Sequence, residues 1–149
     1  MAQVDFTVVR TLPLPAGVVF DELIDWAGHA EWVPMTRVEI HAGDGGPGTE
    51  FTATTGLGPA ALPDRMRVES LDRESMTVAI TKIGPVLTGV VTLRVVALGE
   101  TSSRLEWDER IRVPYAPQFL AAPIAAAARQ GFSSAIARMV KRIRSRPQA

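Results

Sequence analysis

From Arg37 to Val113 the chain repeats one pattern six times. A short run alternates apolar with polar side chains, then a connection rich in Gly, Pro, Asp or Ser interrupts it. Period two belongs to an extended strand with one face buried. The six runs are Arg37–Ala42, Thr49–Thr55, Arg65–Leu71, Met76–Lys82, Leu87–Leu98 and Arg104–Val113, and a seventh, Val4–Leu12, lies ahead of them. Connections this short predict an antiparallel meander. Val19, Phe20, Leu23 and Ile24 instead predict a short helix over Ala16–Trp26, with Pro15 suited to its first turn, and a further helical turn follows over Gly28–Val33. Helical spacing returns after Pro117 and runs to Arg146, through Leu120, Ile124, Ala127, Ala128, Gly131, Ala135, Met139 and Ile143. Pro123 either kinks this last helix or sets off a lead-in turn.

The order strand, two short helices, six strands, long helix predicts a single α+β domain over residues 1–149. Seven strands with one apolar face each need a cover, and only the C-terminal helix is long enough to supply it. One helix cannot fill the hollow of so curved a sheet. The helix positions assigned to the sheet side (Ala127, Ala128, Gly131 and Ala135) are small, which favours an internal cavity over a filled core. A chain of this length buries enough surface for one real core. The absence of cysteine removes disulfides, a thiolate nucleophile and cysteine metal sites. No apolar run approaches the roughly 18 residues of a membrane span, and the N-terminus lacks a basic segment followed by an apolar one. The expectation is a cytoplasmic protein, monomer or homodimer, without stable membrane insertion.

Net charge is zero, yet all 16 acidic residues precede Arg110, while residues 110–149 carry only basic ones. The cluster Arg138, Lys141, Arg142, Arg144 and Arg146 is read as a solvated helix end complementing the helix dipole. Nucleic acid is not expected as a partner, because no aromatic residues interleave these cations for base stacking.

Candidate chemistry is sparse. Gly43, Gly45 and Gly48 match a dinucleotide-binding spacing, but a strand follows them where pyrophosphate binding needs a helix N-terminus; a hairpin loop is the reading. His29 and His41 have no carboxylate or second histidine at metal spacing, so no metal and no cofactor is expected. Ser102, Ser103, Ser133 and Ser134 lie outside any nucleophile elbow. The last strand says most. Leu105, Trp107, Glu109, Ile111 and Val113 share one face, which makes Glu109 the carboxylate expected inside the cavity and the candidate acid or base. A bulge turning it outward, or a structural partner, is the alternative. Burial without a partner would raise its pKa. Trp107 is core on any account, and Trp32 is either pocket floor or core.

Several pieces of this order carry a family resemblance: Leu14-Pro15-Ala16-Gly17-Val18-Val19-Phe20 leading to Asp25, Trp32-Val33-Pro34, Gly48-Thr49, Leu105-Glu106-Trp107, and Phe132 four residues before Ile136. Together they resemble the START/SRPBCC superfamily of helix-grip proteins, which includes polyketide cyclases, lipid-transfer domains and the birch-pollen-allergen family. The loop Gly43–Thr49 is similar to the glycine-rich loop of the allergens. The resemblance implies a seven-stranded sheet gripping the C-terminal helix, and an apolar ligand. Aromatase/cyclase members use a tyrosine before the second strand and an arginine in the fourth. The matching positions here hold Met35 and Ser70, with Arg65 and Arg67 expected on the other face, and this puts cyclase activity in doubt.

The function expected is binding of a hydrophobic small molecule (a lipid, fatty acyl group or polyketide), with a cyclase/dehydrase-type enzyme as the alternative. The strand positions expected to line the cavity are Phe51, Val78, Ile80, Val91, Leu93, Trp107 and Glu109, with Trp32 beside them. Ile124, Ala128 and Gly131 are expected from the helix. In a meander alternate connections share an end. The end formed by the third, fifth and seventh connections carries Leu57, Leu62, Ile83, Val86 and Tyr115, with Phe119 and Leu120 beside it. These seven residues are the expected gate, the alternative being a cap on the core.

Overall fold

In the computed structural model, which describes residues 1–147, side chains along Ala2–Leu12 alternate between buried and exposed and form the first strand, β1. The last two residues of the domain expected over 1–149 lie outside the described residues. Helix α1 (Ala16–Leu23) and a single helical turn at Ala27–Glu31 follow, then β2 (Thr36–Ala42), β3 (Glu50–Thr55), β4 (Leu62–Asp72), β5 (Thr77–Ile83), β6 (Thr88–Gly99) and β7 (Ser102–Val113). Helix α2 (Ala121–Arg144) closes the chain. All seven strands join one antiparallel sheet in the order β1-β7-β6-β5-β4-β3-β2, so the meander runs from β2 to β7 and β1 docks on the last strand. The register places Phe6 beside Glu109 and Val8 beside Trp107. Among the described residues no helix is long and apolar enough to cross a membrane.

The helices lie on the concave face in different places. Helix α2 packs along β1, α1 reaches β6 and β7, and the turn at Ala27–Glu31 sits on β2. The inner faces of the middle strands are left without a helix directly over them.

Most strand ends lie within two residues of expectation, and larger differences have local causes. Helix α1 stops at Leu23, where Ile24 caps it through its N–H to Phe20 O, and the chain then turns so that Trp26 is buried. Strand β4 begins at Leu62, so Leu62 belongs to a strand and not to a connection. Pro63 is tolerated there because pairing of β4 with β5 starts only at Met66, leaving Pro63 with β3 as its one neighbour. A lead-in turn, Gln118–Leu120, does precede α2, but it ends before Pro123, which is the third residue of the helix, where its missing N–H would have no partner in any case.

The face of α2 also needs correction. Ala125, Ala135, Ile136 and Met139 are buried, and Ala128 and Phe132 are half-buried against the core. Ala127 and Gly131 point away, and a Cβ built on Gly131 would meet nothing within 4 Å. Of the four small positions expected on the sheet side, Ala128 and Ala135 are there, and at about 100° per residue Ala127 and Gly131 fall outside that stripe. Phe132 fixes the true stripe by stacking on Phe6 at 5.8 Å and leaning on Trp107 at 4.5 Å.

The basic end of α2 is not simply solvated. Arg146 donates to the buried Glu22 of α1 at 2.8 Å, and Arg142 lies 3.9 Å from Glu22 and pairs with Glu31. These contacts tie the end of α2 to α1 and to the turn at Ala27–Glu31. Replacing both Arg142 and Arg146 by methionine leaves Glu22 buried without its partners. The expected loss in urea denaturation is about 1–2 kcal/mol, below that of a fully buried pair because both guanidinium groups are partly exposed. Arg144→Met should change stability by less than about 0.5 kcal/mol. Equal, negligible effects of all three changes would return the whole end to the solvated reading.

Candidate functional site

Between the sheet and α2 lies a cavity of about 400 Å³. Its walls come from nearly every element: Phe6 of β1, Phe51 of β3, Met66 of β4, Ile80 of β5, Val91 and Leu93 of β6, Trp107 of β7, and Ala128 and Phe132 of α2. Trp26 and His29, between α1 and β2, form the facing wall. Trp26 stacks on Phe51 at 5.1 Å and donates its indole N–H to Gly45 O at 2.8 Å, which anchors this wall to the glycine loop.

Set into the apolar lining are three charged side chains, Asp64, Lys82 and Glu109. Strand parity puts them there. Lys82 follows Val78 and Ile80 on the inner face of β5, Asp64 precedes Met66 and Val68 on that of β4, and Glu109 follows Trp107 on β7. The row Lys82–Gly89–Ile111 crosses three strands, and Gly89 contributes no side chain to it, which leaves room above β6. Gly89 itself adopts φ 141°, and a Cβ there would run into the β7 backbone at Arg110 O.

Lys82 is 5 % exposed and Glu109 3 %. The Lys82 ammonium is ion-paired with Asp64 and lies 3.8 Å from Met66 Sδ. Burial alone would lower its pKa, but the charges of Glu109 and Asp64 and the Asp64 hydrogen bond together raise it, so Lys82 stays a cation. Burial pushes the Glu109 carboxyl up, against the opposing Lys82 charge and the hydrogen bond that Trp107 Nε1 donates to Glu109 Oε1 at 3.0 Å. Physically, Asp64 and Lys82 offset one another, and a second carboxylate has no counter-charge of its own. His29 Nε2 lies 2.6 Å from Leu23 O; a carbonyl only accepts, so this nitrogen bears the proton. Burial lowers the pKa of His29 and keeps the imidazole neutral. Among the described residues no three His, Asp or Glu side chains are grouped to hold a metal ion.

Seven of the residues expected at the cavity do line it: Phe51, Ile80, Val91, Leu93, Trp107, Glu109 and Ala128. Trp32 and Val78 are buried in the core outside the lining, Trp32 behind His29 with its indole N–H unpartnered. Ile124 belongs to an outer apolar recess, and Gly131 faces away from the cavity altogether. Asp64, Lys82, His29, Trp26, Phe6 and Phe132 were not foreseen as lining residues. Of the gate set, Leu62 lines both the cavity and the outer recess, and Tyr115 and Leu120 line the recess. Cavity and recess share Leu62, Leu87 and Ile111. Leu57 and Phe119 are exposed at 76 % and 79 %, while Ile83 and Val86 are half-buried and line neither space. Met35 and Ser70, at the positions of the aromatase/cyclase tyrosine and arginine, are exposed; Arg65 and Arg67 pair with Glu50 and Glu69 and line no part of the cavity.

A family model described as polyketide cyclase/dehydrase and lipid transport matches residues 3–146. The chain belongs to that family. Its fold is the START/SRPBCC helix grip, as solved structures of low identity also show. An aromatase/cyclase from a Streptomyces species is 16 % identical, covers 99 % of this chain and 97 % of its own, and has a TM-score of 0.79. A START superfamily protein from Mycobacterium smegmatis is 14 % identical over 93 % of this chain and 98 % of its own, with a TM-score of 0.80. The protein named Ara h 8.0201 is 18 % identical over 90 % and 95 %, with a TM-score of 0.67. No curated protein matches the chain. At these identities the neighbours speak for the fold of this polyketide cyclase/dehydrase and lipid-transport family member, and its cavity chemistry has to be taken from its own residues.

Burial of Glu109 sets a pH dependence. Its pKa in the folded protein lies above the unfolded value of 4.5, so the folded state holds its proton more tightly. The stability this group contributes is fully present below that pH and is lost as pH rises through the folded pKa. Glu109→Gln cannot ionise. Its stability relative to wild type should therefore increase as pH rises from 4.5 to about 8, through the folded pKa of Glu109. A difference that stays flat across urea titrations in that range would place Glu109 in a water-like environment.

Proposed function

We propose that this protein binds a mostly apolar small molecule, a lipid, fatty acyl group or polyketide, inside the cavity. The observation that carries this reading is a hollow of about 400 Å³ with largely hydrocarbon walls and one polar cluster, Asp64–Lys82–Glu109, to orient a guest. Family membership supports it at the level of hydrophobic ligands or polyketide chemistry. Cyclase/dehydrase-type catalysis is the second reading, and what favours it is Glu109, a buried carboxyl beside a cation in the same cavity. The outer recess at Tyr115, Leu120 and Ile124 is the proposed mouth, since it meets the cavity at Leu62, Leu87 and Ile111.

Filling the hollow tests the proposal. Ala128 lies on α2 against the cavity, so Ala128→Phe places a ring in empty space and not in a packed core. A solvatochromic apolar dye should bind wild type and lose at least about tenfold in affinity for the variant, while the melting temperature moves by only a few degrees. Leu120→Trp, in the outer recess, should slow dye uptake and release together and leave the affinity nearly unchanged. Undiminished dye binding by folded Ala128→Phe would place the dye somewhere other than the cavity.

A further inference from the structure

The polar cluster restricts what the guest can carry. Among the described residues, Lys82 is the one cation lining the cavity, and Asp64 already pairs with it. Glu109 adds a second carboxyl. His29 is neutral with its N–H given to Leu23 O, and the Thr36 and Thr55 hydroxyls are bonded to each other at 2.9 Å. The cluster therefore has no spare positive charge. A carboxylate guest would bring a buried anion to a site that is neutral at best.

Beside one buried acceptor without a partner, Asp64 Oδ1, the cluster offers donors. Trp107 N–H occupies Glu109 Oε1, so in the neutral acid the proton sits on Oε2. Lys82 has three N–H groups, of which one goes to Asp64 and one leans on Met66 Sδ. A third N–H and the Oε2 proton remain for the guest. A carbonyl oxygen accepts two hydrogen bonds and carries no net charge, so it matches both the count and the sign.

We infer that the guest presents a neutral carbonyl, of ketone or ester type, to Lys82 and Glu109, and that the cavity selects it over the carboxylate of the same chain. The inference rests on the binding reading above and narrows it. The Oε2 proton follows from the raised pKa of Glu109; the charge balance and the third Lys82 N–H stand on geometry alone.

The test is displacement of the apolar dye from the full chain by a matched medium-chain series, methyl ketone, carboxylate and primary amine, at a pH where the carboxylate is ionised. The ketone should displace the dye at concentrations at least about tenfold below those of the other two. Asp64→Asn frees the Lys82 charge, so affinity for the carboxylate should rise about tenfold or more. Should that variant fail to fold, the Glu109 pair decides: Glu109→Gln keeps a neutral donor and the ketone preference, and Glu109→Leu loses it. Equal or tighter binding of the carboxylate or the amine by wild type overturns the inference while leaving apolar binding in place. No dye binding by folded wild type sinks the binding reading, and the inference with it.

Discussion

A sheet of seven strands spaced by about 4.8 Å is roughly 30 Å across, whereas a helix with its side chains is about 10 Å wide. This mismatch governs the molecule. Helix α2 lies along β1, and α1 and the following turn cover other stretches of the concave face. What stays uncovered is closed by large side chains meeting from opposite sides, Phe132 with Phe6 and Trp107, and Trp26 with Phe51. Aromatic walls held at their edges bridge a gap that aliphatic side chains could fill only by drawing the helix inward. The hollow is thus a consequence of architecture and of where the bulky residues stand.

Charge inside such a hollow is costly unless each ion is answered. Three inner-face side chains, Asp64 on β4, Lys82 on β5 and Glu109 on β7, gather in one cavity, where Lys82 answers Asp64 and the Trp107 indole bonds Glu109. Such an arrangement contributes little to stability compared with a hydrocarbon core of the same volume.

Much of the fold was legible because strands with one wet face write their parity into the chain, and because short connections leave few topologies. The same parity makes Glu109 visible among Leu105, Trp107, Ile111 and Val113. It also contains Lys82 after Val78 and Ile80, and Asp64 before Met66 and Val68, but a charged residue near a strand end is ordinarily exposed, so neither stands out. Helix α2 was harder. Its alanines face every direction, so composition alone does not fix the phase, and the bulk of Phe132, Ile136 and Met139 marks the inward side. His29 sits in a single helical turn, too short for any period to show which way a side chain points. The pairing of Arg142 and Arg146 with Glu22 joins residues more than a hundred positions apart and leaves no local trace.

The cavity's dimensions and its polarity are encoded on different elements. Volume can be altered from α2, where the half-buried Ala128 faces the hollow beside Phe132. Polarity resides on β4, β5 and β7, in a rigid hydrogen-bonded ladder. A change at Ala128 resizes the chamber without touching a charge, and a change at Asp64 or Glu109 alters the charge without moving the helix. The size of the hollow and its charge can therefore vary as two independent coordinates, each a single substitution away from the present one.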